Sequence, residues 1–116
     1  MVRPRCHPKA ARIRRRRDFL HLQRVGIRRH TAHFVVIRHP SSGQISRLGI
    51  TASKRIGNAV VRNRIKRLMR EVFRHYRARI QPPLDIVVIA KAEAQKLSYA
   101  QAAAELRASL PLSRGG

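Results

Sequence analysis

The chain has 116 residues, with 27 Lys or Arg against 5 Asp or Glu, for a formal net charge of +22. That length suits one domain with a modest core and excludes two. Self-repulsion at such a charge opposes the compact state, so the cations serve an external partner: nucleic acid leads, ahead of an anionic membrane surface or a merely solvated shell.

Residues 1–15 read as a flexible basic arm, because Pro4 and Pro8 discourage helix and no apolar period is present. The stretch has no apolar core of a signal peptide, and nowhere does the chain reach the length of a membrane span, so a cytoplasmic protein fits best. Cys6 is the only cysteine, which excludes an intramolecular disulfide, and Cys6-His7 has no second pair at metal-ligand spacing.

A short helix is predicted near Arg17 to Arg24, with Asp18 at its start and Gly26 as terminator. AHFVVIRHP is β-branched and apolar, stopped by Pro40, and reads as a strand. SSGQ makes a turn. RLGITASKR alternates, with Leu48, Ile50 and Ala52 on one face and Gly49, Thr51 and Ser53 on the other. These two strands are expected to form an antiparallel hairpin. A long helix begins near Asn58 or Ala59 and fades around Arg79, before Pro82-Pro83. LDIVVIAK is a further strand, and KLSYAQAAAELRASL is a helix entered through a Ser98–Gln101 capping box. PLSRGG is a tail, residues 111–116. The order helix, two or three strands, helix, strand, helix gives an α+β sandwich within one RNA-binding domain over 1–116.

The long helix separates by face. Val61, Ile65, Leu68, Met69, Val72 and Tyr76 form one stripe, the core side. Asn63, Lys66, Arg67, Arg70 and Arg74 lie opposite, with Arg62 and Arg64 at the borders. Cations along i,i+3 and i,i+4 rows stand about 5–6 Å apart, a spacing comparable to successive phosphates of a strand. A solvated face would mix signs, since like charges at i,i+4 cost a few tenths of a kcal/mol each. Lys66, Arg70 and Arg74 accept that cost, which points to RNA or DNA contact. Gly57 permits a close turn before the helix, Asn58 caps it, and the first-turn amides add anion donors.

RLGITASKRIGNAVVRNRIKRLMRE closely resembles the signature of the protein subunit of bacterial ribonuclease P, with its Arg-Asn-Arg segment at Arg62, Asn63 and Arg64. A basic N-terminal segment, Asp18-Phe19 in the first helix, the FVV strand and the I-V-V-I-A strand extend the resemblance over most of the chain. The resemblance implies an αβββαβα fold like a domain of a ribosomal protein, a small two-layer sandwich with a left-handed βαβ crossover, against the usual hand. It implies a subunit that binds a large catalytic RNA and helps it hydrolyse precursor tRNA, an endonuclease reaction that removes the 5′ leader and leaves a 5′ phosphate. Mg²⁺ would be held by the RNA and substrate, with no catalytic side chain, no dedicated protein metal site and no obligate protein partner. Lys54, Arg55, Asn58, Arg62, Asn63, Arg64, Lys66, Arg67 and Arg70 would contact the catalytic RNA. The single-stranded leader would lie in a cleft between the first helix and the sheet, lined by Phe19, Gln23, Val35 and Ile37. Many members of that family carry an aromatic residue where this chain has Gln23, and a Tyr where it has Ile37.

Other classes share some of these features. A ribosomal protein or RNA chaperone would carry the same ridge and fold without a processing role. A DNA-binding module would use the basic helix in the major groove, but no helix-turn-helix partner or dimer seam accompanies it. A self-sufficient nuclease would need paired carboxylates, whereas Asp18, Glu71, Asp85, Glu93 and Glu105 are scattered singly. His21, His30 and His33 suit phosphate binding or packing better than acid–base chemistry.

Overall fold

The structure is a computed structural model describing residues 12–41, 43 and 45–110. The elements run α1 (Arg16–Val25), β1 (Ile27–His30), β2 (Phe34–Pro40), β3 (Arg47–Ala52), α2 (Ala59–Tyr76), β4 (Leu84–Ala90) and α3 (Tyr99–Ser109), with 3₁₀ turns at Arg77–Arg79 and Ala92–Lys96. Residues 1–11 and 111–116, and with them Cys6-His7 and the tail, lie outside the described residues.

The apolar run of Ile86, Val87, Val88, Ile89 and Ala90 in β4 decides the sheet. A strand that is hydrophobic on both sides needs cover on both faces, and β4 is buried throughout except at half-buried Ile89. It takes an interior place in the order β1-β2-β4-β3. β2 runs antiparallel to it, with Val36 opposite Val88, and β3 runs parallel, with Ile50 opposite Val88. The antiparallel hairpin expected between β2 and β3 therefore does not form, because β4 lies between them. A parallel β3–β4 pair needs a long crossover, and α2 supplies it. The β2–β3 connection is tied across the entrance of β4: Ser41 N–H donates to the Pro83 carbonyl at 3.0 Å, and Ser46 Oγ accepts from Leu84 N–H at 3.0 Å.

Strand alternation sorts side chains to two faces. Phe34, Val36, Leu48, Ile86 and Val88 join α2 and α3 in the larger core. Ile37 and Val87 face the other way and meet Ile13 and Leu22 in a smaller cluster, with Phe19, Val35 and Ile89 packed against it. The predicted stripe of α2 holds: Ile65, Met69 and Val72 are buried, and Val61, Leu68 and Tyr76 are partly so. Phe73 is fully buried as well, at the edge of that stripe.

Three local features position the surface discussed below. Gly26 closes α1 through its N–H to the Leu22 carbonyl at 2.8 Å. A Cβ there would stand 2.4 Å from Ile37 Cγ2, so glycine is needed for close approach and not for a left-handed turn. Asn58 caps α2 by accepting from Val61 N–H at 3.1 Å, and Ser98 with Gln101 forms the expected capping box. The flexible arm expected through residue 15 does not extend over residues 12 and 13. Arg12 makes a parallel bridge with Leu48, Ile13 N–H donates to the Leu48 carbonyl at 2.9 Å, and Ile13 is buried. A single isoleucine inside RIRRRR has no period to reveal it.

Candidate nucleic-acid interface

The basic ridge begins in the turn before α2. Ile56, 2% exposed, pins that turn to the core, and Ile56 N–H donates to the Ser53 carbonyl at 3.1 Å. Lys54 and Arg55 between them are exposed. Gly57 has φ +156, and a Cβ there would press on Val61 Cβ at 3.1 Å. Asn58 has its side-chain oxygen committed to the cap, which leaves its NH₂ for a ligand.

Along α2, Asn63 and Arg67 are exposed, and Arg62, Lys66 and Arg70 are half-buried. All five carboxylate side chains of the protein lie among the described residues, and none pairs with Lys54, Arg55, Arg62, Lys66, Arg67 or Arg70. Two residues depart from the simple ridge. Arg64 donates to the Leu97 carbonyl at 2.6 Å and the Gln95 carbonyl at 3.4 Å, tying α2 to the segment that leads into α3. Arg74 is held by Glu71 at 2.5 Å, and His75 approaches the same carboxylate at 3.3 Å. Those hydrogen bonds lower the Glu71 pKa and raise that of Arg74, so the uncompensated positive face ends at Arg70. Arg70 itself has its pKa lowered, by burial first and then by the charge of Arg12.

Two other carboxylates brace the fold. Asp85, facing the α1 side of the sheet, accepts from Arg47 Nε at 2.9 Å and from the terminal guanidinium NH₂ at 2.8 Å. Glu105 of α3 accepts from the Thr31 hydroxyl at 2.5 Å and from His33 N–H at 2.8 Å, with His33 Nδ1 at 2.5 Å. His33 thus serves packing.

A groove of about 450 Å³ lies beside α1, lined by Arg14, Arg16, Phe19, Leu20, Gln23 and Thr51. Arg16, Phe19, Leu20 and Gln23 fall at i, i+3, i+4 and i+7, one side of the helix. The Phe19 ring lies so close over Gly49 that a Cβ there would come within 2.7 Å of its Cζ. Of the residues expected to line a cleft, Phe19 and Gln23 do so, and Val35 and Ile37 do not. Ile37 is fully buried beneath the end of α1, and Val35 is packed against the smaller cluster. Because β4 separates β2 from β3, the strand facing this side of α1 is β3, and Thr51 supplies the opposite wall. Arg14, Arg16, Leu20 and Thr51 were not legible in the sequence as groove residues, since the strand order brings them together. Two guanidinium groups, one ring and two polar groups suit a single strand, whose phosphates meet the cations while a base lies on the apolar side.

The sequence profile of the Ribonuclease P family matches residues 7–111, a span that includes every residue of the ridge and the groove. The chain belongs to that family. The ribonuclease P protein component of Syntrophus aciditrophicus is 45% identical over 98 residues, 84% of this chain and 82% of that protein. The component from Desulfovibrio desulfuricans is 45% identical over 111 residues, 92% of this chain and 83% of that one. Among solved structures, the RNase P protein of Staphylococcus aureus superposes with a TM-score of 0.79 at 37% identity, covering 86% of this chain and 92% of that one. The RNase P protein of Thermotoga maritima gives 0.77 at 33% identity, covering 85% and 94%. The α+β arrangement of the ribonuclease P protein fold is thus that of this chain. Among the described residues, no helix is long and apolar enough to cross a membrane, and no three His, Cys, Asp or Glu stand close enough to hold a metal ion.

Proposed function

We propose that the chain is the RNA-binding subunit of a ribonucleoprotein ribonuclease P, which hydrolyses precursor tRNA to remove its 5′ leader and leave a 5′ phosphate. The catalytic RNA carries the reacting centre and its Mg²⁺; the protein contributes binding. The ridge of α2 meets the catalytic RNA, and the groove beside α1 takes the leader of the precursor, which makes the cytoplasm the compartment of action. The observation that carries this is the face of α2 opposite its core stripe, where cations from Lys66 to Arg70 have no carboxylate partner although Glu71 is adjacent in sequence. Family membership names the RNA that such a face would meet. The commitment of Glu71, Asp85 and Glu105 to Arg74, Arg47 and His33 supports a binding role, since a nuclease of this chain's own would need those acids free for metal.

The test is reconstitution. Purified protein alone should leave precursor tRNA intact. Mixed with a bacterial ribonuclease P RNA at low Mg²⁺, it should raise cleavage at the 5′ leader junction. Cleavage by protein alone, abolished by changing one of its own carboxylates, would overturn the proposal.

A further inference from the structure

A second, smaller cavity of about 110 Å³ opens at the free edge of β3, lined by Arg12, Ile13, Arg14, Leu48, Ile50 and Arg70. Its three cations come from distant parts of the chain, and the backbone holds them in place. Arg12 is fixed by its bridge to Leu48, Ile13 is buried beneath it, and Arg70 stands on α2. We propose that this cavity is a seat for one RNA backbone phosphate, held between Arg12 and Arg70, with Arg14 linking it to the groove beside α1. The inference rests on the RNA-binding role above, and extends it to residues outside the Arg62–Arg64 segment.

Three observations converge on an anion. First, Arg12 and Arg70 are close enough for one charge to depress the other's pKa, on top of the effect of burial. Like charges gathered in a partly desolvated place repel, and the repulsion is relieved when an anion enters. Second, none of the five Asp and Glu side chains pairs with Arg12, Arg14 or Arg70, so the described residues supply no counter-charge there. Third, Arg12 Nε is buried with no hydrogen-bond acceptor among the described residues. A buried N–H left without a partner is costly, and native proteins rarely tolerate one unless something else fills the role. A phosphate is the ligand whose charge such a cluster favours, because guanidinium groups bind phosphate through paired, charge-assisted hydrogen bonds. The volume admits several water molecules or one tetrahedral oxyanion.

The position of the seat gives it a role. Arg14 lines both this cavity and the groove of Phe19 and Gln23, while Arg70 ends the uncompensated ridge of α2. The phosphate therefore sits where the two RNA-facing surfaces meet. It belongs either to the catalytic RNA following the ridge or to a leader extending past the groove.

The experiment uses the full-length protein and compares Arg12→Gln, Arg70→Gln and the double variant with Arg107→Gln, which removes one charge from the far helix α3. Two affinities are measured: protein for catalytic RNA, and assembled holoenzyme for precursor tRNA with and without its leader. Each single variant should weaken one of these by roughly 10- to 100-fold, and Arg107→Gln should not. The double variant should be little worse than either single one, because both arginines hold the same phosphate. Its log–log salt slope should be shallower by about one unit. A loss confined to catalytic RNA assigns the phosphate to that molecule; a loss confined to leader-bearing substrate assigns it to the leader. Losses equal to that of Arg107→Gln, or single-variant losses that add in full, overturn the shared seat. If the unaltered protein binds neither RNA, the RNA-binding role fails. The seat is then judged by thermal unfolding in rising inorganic phosphate. There Arg12→Gln should remove stabilisation that Arg107→Gln retains, and equal behaviour overturns it.

Discussion

Glu105 shows how a lone acid in so basic a chain is put to use. Burial pushes its carboxyl pKa upward, and hydrogen bonds from Thr31, the His33 N–H and the His33 ring outweigh that, so the folded value lies below the ordinary 4.5. A depressed folded pKa stabilises the native state above the unfolded value, and the contribution fades as pH falls through the folded one. Glu105→Gln should therefore cost about 1–3 kcal/mol near neutral pH in urea denaturation. The gap from the unaltered protein should narrow below 4.5, and a gap that stays constant into that range would show that shape alone is at stake. Gln23 lies on the groove proposed to take the leader. It shares a side of α1 with Phe19 on the groove, and Gln23→Phe would place a second ring one helical turn away. Base stacking of this kind contributes about 1–3 kcal/mol, so the holoenzyme should gain affinity for leader-bearing precursor and none for mature tRNA. An unchanged leader-dependent difference, with the protein folded, would move the leader elsewhere. Phe19 and Gln23 were legible because i,i+4 spacing is local. The tie of Arg64 to Leu97 was not, since its partner lies 33 residues later in an irregular segment.

Helices were more legible than strand neighbours, for a physical reason. The stripe of α2, its Asn58 cap and the Ser98–Gln101 box each depend on residues within a turn or two. The pairing of β2 and β3 depends on β4, which enters between them only after α2 has crossed over. Sequence adjacency suggested a hairpin, whereas the two-sided burial of β4 dictated an interior strand. The order αβββαβα implied by the resemblance holds, but β1 had no place assigned to it in the sequence, because IRRH is exposed throughout and shows no alternation. The same strand order explains why Val35 and Ile37 left the expected cleft and Thr51 entered it. The contact of Phe19 with β3 can be tested at Gly49, where a Cβ would stand 2.7 Å from Phe19 Cζ and 3.1 Å from Ile13 Cβ. Gly49→Ala should destabilise the protein by about 1–3 kcal/mol through overpacking, and should disturb leader affinity more than catalytic-RNA affinity. Unaltered stability would mean that α1 shifts freely, and the groove would then not be a preformed site.

Across the whole molecule, the charge of +22 is distributed with a purpose. Carboxylates brace the sheet at Arg47 and the α3 contact at His33, and Glu71 closes the ridge at Arg74. The uncompensated cations include those of the ridge and those around the two cavities that share Arg14. That arrangement suits phosphate binding, and under the proposed function its substitutions should alter assembly and not the chemical step. The decisive measurement is precursor-tRNA cleavage by a bacterial ribonuclease P RNA at low Mg²⁺, followed as protein concentration is raised. It should compare the unaltered chain with a Lys66→Ala, Arg67→Ala double variant. The variant should need about tenfold or more protein to reach half-maximal cleavage, and at saturation should reach the same rate. A rate that stays low when the RNA is fully occupied would contradict the account, because the ridge would then act in the reaction itself and not in holding the RNA.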